Sequence, residues 1–315
     1  MTYAYRSWQK GVTLVELMVS LVLASIITLA AIALYTTGLS SYRTVDAGQE
    51  LQDNGRFALE VIGQAIRQAG YQNYPEAHGL RWSDTYATNT TLFPTIRGYN
   101  NAKVTSITSV DNDGVNGNGG VNNSDTLALR FHGASLASDR TKADGSMIDC
   151  QGIAQTAPLQ ANDLSDVALS LFWVKTDTDN EPSLQCISRG SPTASTFTRN
   201  SQPLIKGVES FQVMYGIDTD STPNSVANKW VSAQDIGTSA DVWTKVTAVR
   251  VGFVLRGAPG SSQATKGTAD DNKLYPLGKD FTGNSTEAGL VFSPPNDGRM
   301  RRVFNATFTL RNPQN

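Results

Sequence analysis

The hydrophobic residues of this chain are concentrated in one long run near the N-terminus. From Val12 to Tyr35 almost every residue is apolar, and Glu16 is the only charged residue in the run. A run of this length can cross a bilayer as a helix. An ionised side chain inside such a run costs roughly 2.5–3.5 kcal/mol on membrane-insertion scales, so we expect Glu16 to have a partner and a function.

The predicted helix continues beyond this run with a different pattern. No proline occurs between Val12 and Pro75, which allows one helix through about Ala69, roughly 85 Å long. After Tyr35, apolar residues recur at helical spacing and predict a face that packs against a soluble head: Leu51, Ala58, Ile62, Ala65 and Ala69. Four glycines either weaken this helix by about 1 kcal/mol each or allow a close approach, and the sequence does not decide which: Gly38, Gly48, Gly55 and Gly63.

From Pro75 onward the pattern changes to short strands separated by polar segments. Four stretches of alternating residues and one short apolar run predict strands at residues 125–131, 167–174, 210–217, 246–255 and 302–310. The segment from Arg256 to Arg299 is rich in Gly, Pro, Ser and Asp and is predicted to be a long loop region. A long helix packed on an antiparallel sheet system is an α+β arrangement.

Two ordinary interpretations of the N-terminus stay open at this point. Ala31-Ile32-Ala33 could be the cleavage site of a secretory signal, although the apolar run exceeds the usual length of about 7–15 residues and contains Glu16. Alternatively, Thr13 and Glu16 form the capping box of a plain membrane anchor, worth about 1 kcal/mol. A capping box is compatible with a further function of Glu16.

The same residues resemble the class III signal of type IV pilins and pseudopilins. The resemblance is carried by Gly11-Val12-Thr13-Leu14-Val15-Glu16 and the uninterrupted apolar run that follows. It implies that a prepilin peptidase cuts between Gly11 and Val12 and methylates the new N-terminal amine, with Val12 standing where the family usually has Phe. It also implies that Glu16, the fifth mature residue, pairs with an N-terminal amine of a neighbouring subunit. Such a carboxylate is favoured at the positive end of a helix, and the pair is poorly screened among apolar helices.

Motifs in the remainder of the chain resemble those of the PilW group of minor pilins. They are Ser124-Asp125-Thr126-Leu127, Asp149-Cys150-Gln151-Gly152, residues 207–218, Val249-Arg250-Val251 and Leu310-Arg311-Asn312. The resemblance implies a pilin of low abundance that works with other minor pilins. That set primes pilus assembly and sits at the pilus tip, often with a large tip adhesin.

Composition narrows the remaining possibilities. The chain has 26 Lys and Arg against 28 Asp and Glu, and no basic patch favours nucleic acid as a partner. The two cysteines, Cys150 and Cys186, are expected to pair in an oxidising compartment after export. The closed loop would stabilise the fold by about 3–4 kcal/mol in the chain-entropy model. The alternative is two free buried thiols.

Other candidate chemistry is weak. The segment Asp111–Gly120 has the composition of a calcium loop, but Val115 breaks the EF-hand spacing and no Glu closes it, so a flexible hairpin loop is expected. His78 and His132 are not in a metal-ligand spacing, and we expect no metal and no cofactor. The chain has no G-x-S-x-G, P-loop or H-E-x-x-H motif, so an enzyme is not expected. The tryptophans are expected to pack in the core or against the sheets: Trp82, Trp173, Trp230 and Trp243.

The sequence thus predicts a type IV pilin-like α+β fold, with a long N-terminal helix packed on an antiparallel β-sheet head. The expected divisions are a cleaved cytoplasmic leader (1–11), the long helix (12–72, with a transmembrane and filament-core half at 12–35 and an amphipathic half at 36–72) and a β-rich globular head (73–315). The expected function is that of a minor pilin in pilus assembly, twitching motility and adhesion. The alternatives are a pseudopilin of type II secretion, a major pilin, and a membrane-anchored enzyme or binding module.

The expected partners follow from that function. They are other minor pilins, the major pilin, the prepilin peptidase, the pilus assembly platform, a tip adhesin and, before assembly, the inner membrane. Arg6 and Lys10 precede the apolar run, which places the leader in the cytoplasm and the head in the periplasm before the protein enters a pilus at the cell surface.

Overall fold

The structure is a computed structural model of the chain. It describes residues 11–73, 94–104, 115–116, 118–158, 167–188, 201–262, 272–282 and 287–312. Among these residues the elements are one long helix, α1, then thirteen β-strands, two short α-helices and two short 3₁₀ helices in the head. The head's hydrophobic core is shared between two antiparallel sheets and the second half of α1.

Helix α1 spans Leu14–Gln68. It starts at the N-cap Thr13, whose side chain accepts a hydrogen bond from the Glu16 N–H. It ends one residue before Ala69, the end that the sequence predicts, and four before position 72, the expected boundary of the helix region. The backbone turns away at Gly70, which has φ +73°, and the Gly70 N–H is donated to the Arg130 carbonyl at 2.9 Å instead of continuing the helix.

The two sheets are built from antiparallel pairs. A five-stranded sheet has the order β1-β4-β7-β8-β9, and a four-stranded sheet has the order β11-β10-β12-β13. The strands of the first are β1 (Ile96–Tyr99), β4 (Thr126–Phe131), β7 (Ala168–Thr176), β8 (Pro182–Ser188) and β9 (Ser201–Lys206). Those of the second are β10 (Val208–Ile217), β11 (Lys229–Val231), β12 (Val246–Arg256) and β13 (Arg301–Thr309).

Smaller elements complete the head. Two short hairpins pair β2 (Lys103–Val104) with β3 (Val115–Asn116) and β5 (Ser135–Leu136) with β6 (Asp139–Ala143). The helices α2 (Ala233–Ile236) and α3 (Ala240–Thr244) lie between β11 and β12. Each of the five predicted strands is present, with ends that differ from the prediction by at most two residues.

The second half of α1 packs on the four-stranded sheet through the apolar face that the sequence predicts. The five predicted positions are all buried: Leu51, Ala58, Ile62, Ala65 and Ala69. The core cluster that contains them includes alternate positions of two strands, Phe211, Val213 and Tyr215 of β10 and Val249, Val251, Phe253 and Leu255 of β12, together with residues of β4, β7, β8, β9 and β13. The prediction of an amphipathic second half is therefore confirmed.

Two glycines of α1 are points of close approach to the last strand. The ring of Phe304 lies directly over Gly55, and the ring of Phe308 lies over Gly63, so that a Cβ atom at either glycine would come within 3.0 Å of ring carbons. Phe304 is itself stacked on Phe253, with ring centroids 5.5 Å apart. The sequence left open whether these glycines weaken the helix or allow a close approach. At Gly55 and Gly63 the structure shows close approach, and the element that approaches α1 is strand β13, not another helix. A Cβ at Gly38 would meet nothing within 4 Å.

The motif Ser124-Asp125 joins the two sheets. The Asp125 carboxylate, fully buried, accepts hydrogen bonds from the Val213 N–H at 2.9 Å and the Asn101 N–H at 3.1 Å. The Ser124 hydroxyl accepts one from the Phe211 N–H at 3.1 Å. Burial raises the pKa of Asp125 well above its usual range, and the two backbone donors oppose that shift. The motif thus fixes the start of β4 against β10.

The predicted loop region between Arg256 and Arg299 has little regular structure in its described residues, but it covers the outer face of the four-stranded sheet. Leu277 and Leu290 pack on Met214, and Phe281 meets Trp230 edge-to-face at 5.9 Å. Trp173 and Trp243 are buried and Trp230 is half-buried, which confirms the packing role predicted for these three; Trp82 lies outside the described residues.

Candidate assembly and processing site

The start of α1 brings together three of the residues that the sequence analysis singled out. Gly11 and Val12 are exposed and precede the helix, and Glu16 lies in its first turn. The Glu16 Oε2 atom accepts hydrogen bonds from both the Thr13 N–H and the Thr13 hydroxyl at 3.0 Å. The predicted capping box is therefore present, and the carboxylate sits at the positive end of the helix.

The apolar half of α1 has no cover within the described part of the chain. Val12 is 72% exposed and Leu34 is 76% exposed, and the large apolar residues between them are exposed as well. Leu14–Gln68 is the one helix among the described residues that is long and apolar enough to cross a membrane, and none of its most apolar window is buried in the protein. Such a surface needs lipid or other apolar helices around it.

Cys150 and Cys186 form a disulfide, as the sequence analysis expects, with their Cα atoms 6.1 Å apart. Cys186 belongs to β8, and Cys150 sits in a turn that is held by Asp149, whose carboxylate accepts the N–H groups of Gln151 and Ile153. This turn, together with β9, faces the Phe57–Ala65 part of α1 across a cleft of about 260 Å³. The bond is therefore remote from Glu16 and stabilises the head where it faces the helix.

The sequence analysis did not predict a group of partly buried ion pairs in the head. It ties the start of β10 to the ends of β12 and β13 and to the turn before β8. Glu209, whose side chain is 3% exposed, pairs with Arg301 at 2.6 Å and Arg256 at 3.1 Å. Glu181 pairs with Arg256 and Arg299 at 2.8 Å, and Asp297 pairs with Arg301 at 2.7 Å. The one sequence signal is Glu209 itself, an acidic residue at the start of a strand whose other residues are buried.

The remaining candidates contribute little to a site. His132 is buried and its Nδ1 atom accepts the Asn73 N–H at 3.2 Å, which is a structural role. His78, the leader residues Arg6 and Lys10, and residues 111–114 and 117 of the predicted loop lie outside the described residues. Within the part of the chain that the structure describes, no group of three or more His, Cys, Asp or Glu side chains is placed to hold a metal ion.

Two family models match the chain. The model described as "Prokaryotic N-terminal methylation motif" matches residues 9–32, and the model described as "Type IV Pilus-assembly protein W" matches residues 171–312. A solved structure of a type IV-like pilin from Thermus thermophilus aligns with 84% of this chain and 100% of its own, at 14% identity and a TM-score of 0.39. No curated protein matches the chain.

The two family models agree with the structure at both ends of the molecule. The first covers the cap of α1 and most of its exposed apolar half, and the second begins in β7 and runs through β13. Together they span just over half of the chain. These matches support a type IV pilus minor pilin of the PilW type, with an N-terminal methylation motif at the start of its long helix.

Proposed function

We propose that this minor pilin primes type IV pilus assembly and occupies the pilus tip together with other minor pilins. It is inserted with its leader in the cytoplasm, cut by a prepilin peptidase between Gly11 and Val12, and methylated on the Val12 amine. The single observation that carries the proposal is the exposed apolar half of α1, which starts at a capped carboxylate and continues without a break into the half of the helix that packs on the head. The chain acts by packing and assembly and performs no catalysis.

The proposed role of Glu16 rests on charge. After cleavage the Val12 amine lies one turn from the carboxylate, and an amine of the neighbouring subunit can reach it as the helices stack. Among apolar helices, a lone carboxylate is costly, and an opposite charge removes that cost. Pairing with the amine would then fix the axial register of each new subunit, because one turn of slippage separates the charges.

The capping box allows a clean test of this role. Gln at the third helical position retains the capping box but carries no charge. In the source organism, with the gene deleted and complemented, Glu16→Gln is expected to leave the membrane level of the protein unchanged and to remove it from sheared pili. Thr13→Ala, which weakens the cap by about 1 kcal/mol but keeps the carboxylate, is expected to assemble. Glu60→Ala, on the exposed face of the same helix, is the matched control.

Processing is tested separately by mass spectrometry of the N-terminus, with and without a co-expressed prepilin peptidase. We expect the mature chain to begin at methylated Val12, and Gly11→Asp to abolish cleavage. Recovery of Glu16→Gln in pili at the wild-type level would contradict the pairing role. Wild-type numbers of pili and normal twitching in the deletion strain, with a loss of protein secretion, would point to a pseudopilin instead.

A further inference from the structure

The free edge of the four-stranded sheet is formed by its last strand, β13. This strand is nine residues long and pairs with β12 alone among the described strands. Its register with β12 is unbroken from one end to the other, without a bulge. Between Val303 and Thr309 it contains no charged residue and no proline. β13 is therefore a long, regular and uncharged sheet edge.

The other edges of the two sheets are short or interrupted. β1 has four residues and β11 has three, which limits the number of hydrogen bonds that a partner could form there. β9 has six residues, but it contains Pro203, and its register with β8 shifts between Leu184 and Gln185. Short length, proline and bulges are usual means by which proteins prevent pairing at a sheet edge. Within the described structure, β13 has none of these protections.

The backbone groups that β13 directs outward can be identified from its two ends. The Gly257 N–H donates to the Met300 carbonyl at 2.8 Å, and the Leu310 N–H donates to the Thr247 carbonyl at 2.9 Å. Bonded pairs alternate along an antiparallel ladder, so the even-numbered residues of β13 bond to β12. The odd-numbered residues direct their N–H and C=O groups away from β12, and these groups are open to a further strand: Val303, Asn305, Thr307 and Thr309.

The two faces of β13 differ, and they limit which side chains a partner strand can carry. The even-numbered residues face α1, where the ring of the half-buried Phe308 lies on Gly63. The odd-numbered residues face the other side, where the Thr307 hydroxyl accepts a hydrogen bond from Arg250 Nη1 at 3.0 Å. Side chains alternate along a strand, so an added strand would place apolar residues beside Phe308 and polar residues beside Thr307.

Arginine side chains border this uncharged edge. Arg302 and Arg311 are exposed at its two ends, and the Arg67 guanidinium of α1 lies over the Phe308 ring at 5.6 Å. Arg250 lies beneath the outer face of β13, where it donates to side chains of this strand. Within the described part of the chain, the ion pairs include none of these four arginines. A partner strand with Asp or Glu near its ends would complement this charge.

A second copy of this chain does not fit the edge. Gly55 and Gly63 lie about 12 Å apart along the helix. Phe304 and Phe308, which contact them in the same order, lie about 13 Å apart along the strand. α1 and β13 therefore run in the same direction. Two copies paired antiparallel through β13 would point their apolar helix halves in opposite directions, and any pairing of the two edges would bring like charges together.

We propose that β13 is a docking edge for an extended segment of a different protein, which joins the four-stranded sheet as a fifth strand. This segment alternates apolar and polar residues and has acidic residues near its ends. Hydrogen bonds to the outward backbone groups of residues 303–309 supply the affinity, and apolar side chains beside Phe308 supply the specificity. The proposal concerns the head and does not depend on the pairing proposed for Glu16.

The test is photo-cross-linking of the full-length protein in the source organism, with the gene deleted and complemented. p-Benzoylphenylalanine replaces Thr309, which is exposed, and mass spectrometry identifies the peptide joined to it. We expect an alternating segment with acidic ends from one other protein. Thr307→Pro removes an outward N–H and leaves the bonds to β12 in place, so it should lower the cross-linking yield about tenfold. Thr307→Val also lacks the hydroxyl but retains the N–H, and should stay within about twofold of the wild type.

The charge of the edge is tested by a second pair of variants. Arg311→Glu would repel an acidic strand and should lower the yield about tenfold. Lys229→Glu, at an exposed position on the opposite edge of the same sheet, is the matched control and should not change the yield. Thermal unfolding of each purified variant separates loss of the partner from loss of the fold.

The proposal would be overturned by the absence of a cross-link from position 309, or by a cross-link to a second copy of this chain. An unchanged yield in a Thr307→Pro protein with normal thermal unfolding would also contradict it. If Thr307→Pro does not fold, the yield of Arg311→Glu decides: a loss supports the docking edge, and an unchanged yield rejects it.

Discussion

The contact between Gly55 of α1 and Phe304 of β13 predicts an exception to the usual effect of glycine replacement in helices. Gly→Ala within a helix normally stabilises by about 1 kcal/mol, because alanine has the better helix propensity. At Gly55 the new Cβ would lie within 3.0 Å of three ring atoms of Phe304. That ring is 7% exposed and stacked on Phe253, so it cannot move aside without breaking a second contact.

The size of the effect follows from two opposing contributions. Overpacking of a rigid core costs about 1–3 kcal/mol. The gain in helix propensity offsets about 1 kcal/mol of this cost. We therefore expect Gly55→Ala to destabilise the head by up to about 2 kcal/mol, in place of the usual stabilisation. Gly48→Ala is the matched control, since its Cβ would only reach ordinary contact, 3.9 Å from the Met300 sulfur, and should be neutral or stabilising by up to about 1 kcal/mol.

Urea unfolding of the detergent-solubilised protein, followed by tryptophan fluorescence, measures both variants. A double-mutant cycle with Phe304→Leu tests the cause: in that background Gly55→Ala should lose most of its cost, with a coupling energy of about 1–2 kcal/mol. If Gly55→Ala stabilised the protein as Gly48→Ala does, or if the cycle gave no coupling, the docking contact described for Phe304 would be wrong.

Three further outcomes test other parts of the structure. Replacing Cys150 and Cys186 with Ser should lower the free energy of unfolding by about 3–4 kcal/mol, and reducing agent should lower the thermal midpoint of the wild type but not of this variant. Asp125→Ala should lower the free energy of unfolding in urea by about 2–5 kcal/mol, because two buried N–H groups lose their acceptor. Asp125→Asn retains an acceptor oxygen and should cost less. Equal losses in the two variants would contradict this explanation. Because folding raises the pKa of Glu287 from 4.5 to about 7, its contribution to stability is fully present below pH 4.5 and is lost as the pH rises to about 7. The wild type should therefore lose stability relative to Glu287→Gln across this interval in pH-dependent thermal unfolding.

The elements of this fold were readable from the sequence wherever local periodicity decides the structure. The apolar run, the helical spacing from Leu51 to Ala69 and the alternation in β10 and β12 each report which side of an element is buried. The capping box was readable for the same reason, since Thr13 and Glu16 are three residues apart. In all of these the interacting residues are near neighbours in the chain.

Contacts between distant segments were not readable. Gly55 and Phe304 are separated by most of the head's sequence, and Glu209 and Arg301 are 92 residues apart. The type of a single residue does not indicate which distant residue it will contact. The sequence did not decide whether the glycines of α1 weaken the helix or permit a close approach. For Gly55 and Gly63 the packing of β13 on α1 decides in favour of close approach. The position of β13 at the edge of its sheet likewise depends on which distant strands pair.

The same packing explains how a largely exposed helix can be held by one head. Before the first buried residue, Ala47, α1 projects from the head for about 33 residues, or roughly 50 Å. Any sideways force on this rod acts as a lever on the docked half. The load falls first near Leu51 and Gly55, and there the structure places the Phe304–Phe253 stack and, alongside, the ion pairs of Arg256 with Glu181 and Glu209. These ion pairs are partly buried and cross-link strands at the end where the helix leaves the head, so removing one partner would leave a desolvated charge at the base of the lever. The contacts of Leu51 and Gly55 with the head are therefore the first to resist such a force.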